Sequence, residues 1–239
     1  MANVVSHLGS DFDALCRQAL RQAPLADLVE LRLDRIGDPG EARLAEFVKA
    51  CPKPVIVAVH GPEAHGEYQG DVDSRLELLH SAARAGAKFV DVDWRLSLDL
   101  GEVAGRCHRI VSRHETEGTP ERDDELDALW EEVRDVQYEG DVTKIVTHAA
   151  STEDGLRMLA FVRRHPGLIG FCSGEQGSFT RILAPIFGSA FTYAAPAAIP
   201  GMPVPAASAP GQIAINDLPG WLPPGGVTPP RRGPQRVGR

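Results

Sequence analysis

The sequence predicts a (β/α)8 barrel, and three observations carry that prediction. Eight short apolar runs, rich in β-branched residues, recur along a chain of 239 residues. Helical patterns or helical turns separate them, and there is no long strand-only region. No Gly-rich dinucleotide fingerprint follows the first run, which argues against an open dinucleotide-binding sheet. Periodicity does not show closure, so an open parallel sheet stays as the alternative.

The elements follow in order. Asn3–Ser6 is the first strand, and Asp11–Arg21 is a helix with an acidic N-terminal signal. Leu28–Leu33 is the second strand, followed by a helix over Pro39–Ala50 with proline in its first turn. Val55–Val59 is the third. The helix Ser74–Ala85 carries Leu76, Leu79, Ala82 and Ala83 at helical spacing and stops at Gly86. Phe89–Val92 and Arg109–Val111 are strands four and five. The helix Glu121–Val133 follows Thr119-Pro120, strand six is Thr143–Val146, and the helix Thr152–Arg163 follows Ser151. Leu168–Phe171 is strand seven, Gly174–Arg181 opens a helix, and Ser189–Thr192 is strand eight.

A long Ala/Pro-rich loop, Ala194 to Pro210, reads as a lid. From Pro219 onward the chain holds six prolines and four arginines with no acidic residue, the composition of a disordered tail. The expected organisation is one barrel domain, residues 1–218, and a Pro/Arg-rich tail, residues 219–239.

Composition removes several function classes. The net charge of −8 and pI near 5.5 are the opposite of a nucleic-acid footprint. No apolar run approaches the roughly 20 residues that span a bilayer. Met1–Ser6 lacks the basic and apolar regions of a signal peptide, so a cytoplasmic location is expected. Cys16, Cys51, Cys107 and Cys172 are widely spaced and make no metal pattern. They are expected to be reduced thiols, with no metal.

Chemistry enters at Lys144. Only four of the 25 basic residues are lysine, and this one lies inside the buried run Thr143–Val146. Burial disfavours an ammonium and frees the nucleophilic amine that Schiff-base chemistry on a ketone needs. Thirty residues upstream, about one strand–helix–strand unit, stands His114. The two are predicted on one face at the ends of consecutive parallel strands, an amine beside a base.

Along strand two, Glu30, Arg32 and Asp34 alternate with Leu31 and Leu33. A barrel strand has no open face, so three charges on one side imply the lumen near its mouth. The turn Gly174–Gly177 with Arg181 is a candidate anion site, for carboxylate or phosphate.

Several segments together are similar to one family. They are Ala26–Asp34, Gly86–Asp93, Val111–Glu115 with Thr119-Pro120, Asp141–Ile145, Phe187–Ser189 and Ser208–Gln212. In this order and spacing the chain resembles type I 3-dehydroquinate dehydratase over about residues 3 to 218. The resemblance implies a dimeric (β/α)8 barrel of the shikimate pathway that needs no metal or organic cofactor. Lys144 is then the residue that forms an imine with the C3 ketone of 3-dehydroquinate. His114 removes the C2 proton and protonates the departing C1 hydroxyl, in a syn elimination giving 3-dehydroshikimate. Glu30 and Arg32 bind ring hydroxyls, and Arg181, Ser208 and Gln212 bind the carboxylate side under the lid.

The chain departs from the family after strand three. Where the family carries an arginine, a glutamate and a Gly-Gly pair, alignment on Gly70-Asp71 places His60, Ala64 and His65. His60 thereby becomes the substrate-binding candidate at the arginine position, although an imidazole does not replace a bidentate guanidinium. Ala64 orients nothing, and Glu63 is one position away. Asp93 and Thr180 stand where the family tends to have Glu and Ser. The altered pocket leaves two other readings: another Schiff-base lyase or aldolase acting on a keto acid or sugar phosphate, or a non-catalytic paralogue.

Overall fold

The computed structural model describes residues 2–9, 11–199 and 205–218, so the expected tail at 219–239 and part of the expected lid lie outside it. Eight strands form: β1 (Ala2–His7), β2 (Leu28–Arg32), β3 (Val55–Ala58), β4 (Phe89–Asp93), β5 (His108–Glu115), β6 (Val142–His148), β7 (Ile169–Ser173) and β8 (Phe191–Ala194). The helices are α1 (Phe12–Gln22), α2 (Glu41–Ala50), α3 (Val72–Arg84), α4 (Ser97–Leu100), α5 (Asp123–Asp135), α6 (Thr152–Arg164) and α7 (Ser178–Phe187).

All seven ladders are parallel, in the order β7-β6-β5-β4-β3-β2-β1-β8. Two hydrogen bonds cross the remaining seam between β7 and β8. Ala190 N donates to Leu168 O at 2.9 Å, and Gly170 N donates to Ser189 Oγ at 3.2 Å. The predicted barrel is therefore nearly closed.

Local chemistry sets the helix starts. Asp11 caps α1 by accepting from Ala14 N at 2.8 Å, and Asp71 caps α3 by accepting from Ser74 N at 2.7 Å. Ser151 and Asp154 form a reciprocal capping box on α6. Three elements differ from expectation. β5 runs on to Glu115, because polar residues near a barrel mouth remain in the strand. β8 starts two residues late, since the Ser189 hydroxyl donates to Phe191 O at 2.9 Å and turns the chain locally. After β4 comes only a 3-10 turn, Trp94–Leu96, and the one-turn α4, which stops at Gly101 with φ 63°.

Alternation divides each strand between two environments. Outward residues such as Val29, Leu31, Val57 and Val90 pack beneath the helices. Inward residues at the lower end, including Val4, Leu28, Ile56, Phe89, Ile110, Val142 and Phe191, fill the lumen as an apolar plug. Higher up, the inward positions turn polar: Ser6, Glu30, Arg32, Asp91, Ser112, His114 and Lys144. Parallel barrels present their sites at the C-terminal ends of the strands, and this is that end.

Candidate active site

Lys144 projects inward from the middle of β6 and is 4% exposed. Its amine is hydrogen-bonded to Asp91 Oδ2 of β4 at 2.8 Å and lies 4.7 Å from the Tyr193 ring centre. The expected apolar surrounding is thus half met: an aromatic face on one side, a fully buried carboxylate on the other.

Ser112 pairs with Lys144, and His114 lies two residues further along β5. The histidine and the amine therefore share one face, as expected. Burial pushes the His114 imidazole well below its usual range, and the charges of Lys144 and Arg32 add to this. A neutral ring is a ring that can accept a proton.

The stripe on β2 separates into two roles. Glu30 accepts a hydrogen bond from the Ser6 hydroxyl through Oε1, while Oε2 is buried without a partner. Burial raises the pKa of this carboxyl. Arg32 lies in a fork on Asp34, Nε to Oδ1 at 2.7 Å and Nη2 to Oδ2 at 2.9 Å. Its Nη1 reaches Ser208 O at 3.3 Å, so the stripe pairs internally and also holds the lid.

Arg181 enters from α7, 1% exposed and stacked over Phe171 at 4.3 Å. The one hydrogen bond of its guanidinium among the described residues is Nη1 to Tyr193 O at 3.5 Å, and Nε is unpartnered. Burial pushes its pKa down to about 10. A buried guanidinium without a carboxylate is prepared for an anionic ligand. Three amides of the preceding turn are engaged elsewhere: Gly174 N to Pro210 O, Gly177 N to Gly174 O and Ser178 N to Glu175 O. Of the anion site expected there, Arg181 is the part whose donors face the cavity.

The lid sits down on the site. Ser208 Oγ stands 2.7 Å from Ser6 Oγ and 3.0 Å from Gln212 Oε1. At Gly211, φ is 75° and an added Cβ would fall 2.3 Å from Gly174 O, so only glycine fits this approach. The cavity left beneath is about 40 Å³, room for a few waters. It is lined by Glu30, Arg32, His60, His114, Lys144, Arg181, Ser208 and Gln212, so all eight residues expected at the site meet there.

The loop after β3 is reorganised. Ala64 lines the cavity, but Glu63 turns away and accepts from Arg75 Nη1 at 2.7 Å. Glu63 therefore does not stand in for a missing carboxylate. His65 takes φ 55°, the left-handed region, at the position the resemblance gives to a glycine. His60 is buried with its ring centre 5.2 Å from that of His114, edge to face, and its Nε2 lies 3.9 Å from Asp91 Oδ2.

Sequence reasoning missed Asp91, Tyr193 and Ser6. Alternation in Phe89-Val90-Asp91-Val92-Asp93, with Phe89 inward, places Asp91 inward as well, and that signal was available. Tyr193 lay beyond the predicted end of strand eight. Its hydroxyl is buried without a partner, and burial pushes its pKa well above the usual value.

Comparison with known proteins agrees with this site. The family model for type I 3-dehydroquinase matches residues 4–222. The 3-dehydroquinate dehydratase of Methanocaldococcus jannaschii is 34% identical over 209 residues, covering 84% of this chain and 89% of that protein. That of Methanopyrus kandleri is 33% identical over 223 residues, covering 91% and 95%. Among solved structures, the 3-dehydroquinate dehydratase of Geobacillus kaustophilus superposes with a TM-score of 0.76 at 23% identity, covering 91% of this chain and 88% of that one. At that identity the superposition speaks for the fold alone. No helix among the described residues is long and apolar enough to cross a membrane. The buried Lys/His pair on adjacent barrel strands, the family match and these relatives agree: the chain belongs to the type I 3-dehydroquinase family.

Proposed function

We propose that this type I 3-dehydroquinase dehydrates 3-dehydroquinate to 3-dehydroshikimate through an imine on Lys144, with His114 moving the proton. The observation that carries the assignment is the placement of Lys144 and His114. Both face the lumen from consecutive strands, inside a cavity where Glu30 Oε2, His114 Nδ1, Tyr193 Oη and Arg181 Nε all lack partners. So many unsatisfied polar atoms around one void suit a small, heavily hydroxylated anion.

Asp91, in contact with the amine, is placed to take its proton before attack on the C3 ketone. Asp91 returns that proton to the departing hydroxyl, and loss of water gives the iminium, which withdraws electrons and acidifies the C2 hydrogen. His114 accepts that proton and returns it to the C1 hydroxyl, which leaves as water from the same side. A second water then hydrolyses the imine. Arg181 holds the substrate carboxylate, with Ser208 and Gln212 closing over it, and Glu30 and Arg32 meet the ring hydroxyls. His60 faces the reacting ring from the loop after β3. The scheme calls for no metal or organic cofactor. A sugar phosphate is less well served, because three amides of the turn, those of Gly174, Gly177 and Ser178, are already bonded. The same reading has the protein as a cytoplasmic homodimer, with light scattering as the test of its assembly.

The testing experiment is borohydride reduction in the presence of 3-dehydroquinate, read by intact mass, with ultraviolet detection of the conjugated product in a parallel sample. A stable adduct on wild type, its absence in Lys144→Ala, and product formation support the proposal. An adduct on Lys144→Ala removes Lys144 from the mechanism. Neither adduct nor product on wild type rejects the reaction.

A further inference from the structure

Resting on that assignment, we infer that His60 is a positioning residue for His114, linking the proton-moving ring to Asp91. His114 Nδ1 is buried without a hydrogen-bond partner, and so is His60 Nδ1. The two rings are in edge-to-face contact at 5.2 Å. On its other side His60 Nε2 is 3.9 Å from Asp91 Oδ2, the same oxygen that holds the Lys144 amine at 2.8 Å. That is roughly 1 Å beyond hydrogen-bond length, and sites of this kind tighten when substrate binds. Two other positions in this part of the loop cannot serve. Ala64 carries no polar atom, and Glu63 is held on Arg75.

The arrangement matters once His114 has taken the C2 proton. The new imidazolium lies near the positive charges of Arg32 and Arg181, the Lys144 iminium having passed to a neutral enamine. A neutral His60 can accept the His114 N–H through one ring nitrogen and donate its own N–H to Asp91 through the other. The chain His114 to His60 to Asp91 then fixes the orientation of His114 and offsets its charge without moving a further proton. The groups facing His60 are Arg32 from β2, Arg75 from α3, Asp91 from β4, His114 from β5 and Lys144 from β6. Burial, reinforced by the cations among them, keeps His60 well below its usual pKa, in the neutral form the link requires.

The test uses His60→Leu and His60→Gln in the full chain, with two readouts. In steady-state kinetics, His60→Leu should lower kcat by about 10–100-fold, the order for losing one positioned hydrogen bond, with KM changed less than about 2-fold. His60→Gln, which keeps a donor and an acceptor, should recover part of the loss. Nitrogen NMR of the His114 ring, assigned by its absence in His114→Asn, should show a changed tautomer balance and titration in His60→Leu. A raised KM at unchanged kcat would make His60 a substrate-binding group and overturn the inference. Unchanged His114 signals in both variants overturn it as well. The NMR readout needs no turnover, so it decides the inference even if wild type fails to dehydrate 3-dehydroquinate, a result that rejects the proposed function instead. Should His60→Leu not fold, His60→Gln alone decides by the same signals.

Discussion

Acid should destabilise this barrel through His7. His7 closes β1 opposite Leu31, is fully buried, and has neither ring nitrogen hydrogen-bonded. Burial pushes its pKa from 6.5 to about 4. The unfolded chain therefore takes a proton at higher pH than the folded one. Stability is fully present above pH 6.5 and falls as the pH drops from there toward 4. The whole shift corresponds to about 3 kcal/mol, of which about 2 kcal/mol is already lost at about pH 5. The assay is urea unfolding of wild type and His7→Leu at about pH 7.5 and pH 5. Leucine roughly keeps the volume and removes the titration. Glu30, His60 and His114 also respond to acid, but they do so in both proteins, and the difference isolates His7. Wild type should lose about 2 kcal/mol more than the variant between the two conditions. Equal losses would refute the reasoning, because they would mean that His7 titrates alike in the folded and unfolded chains.

Three further outcomes are expected. His114→Ala should retain the borohydride adduct while kcat falls about 10²–10⁴-fold; an unimpaired kcat removes His114 from the mechanism. Because burial holds His114 well below 6.5, kcat/KM should stay level from neutral pH down past 6.5 and fall only in stronger acid, where the free enzyme's base gains its proton. A limb centred at 6.5 in the pH–rate profile contradicts that placement. His60→Arg together with Ala64→Glu should raise kcat/KM for 3-dehydroquinate by restoring the family's pair, and a steady-state comparison with wild type that shows a loss means this pocket has its own solution.

The legible parts of this molecule were those written in local pattern. Alternation and spacing placed Lys144 and His114 on one face, because side-chain direction in a strand has period two whatever surrounds it. The charged stripe at Glu30, Arg32 and Asp34 was readable as luminal for the same reason. What stayed hidden depends on contacts between distant segments. Nothing near Asp91 announces that Lys144, 53 residues later, will rest on it. Glu63 was a plausible substitute carboxylate until Arg75, one helix turn into α3, drew it away. The end of strand eight was misplaced because the Ser189 hydroxyl competes for backbone partners, and Tyr193 went unnoticed with it.

The apolar plug has a consequence for traffic. Phe89, Phe191, Ile110 and their neighbours seal the lower end of the lumen, so the vessel has a single door. Each turnover must pass the ring acid in and out through that door, along with the water formed by elimination and the waters exchanged as the imine forms and is hydrolysed. With Ser208 latched to Ser6 and Arg32, the door is narrowed above a space of about 40 Å³. Opening is thus a step that every molecule in the cycle shares. Raising solvent viscosity should slow turnover wherever that hinge, rather than proton transfer, sets the pace.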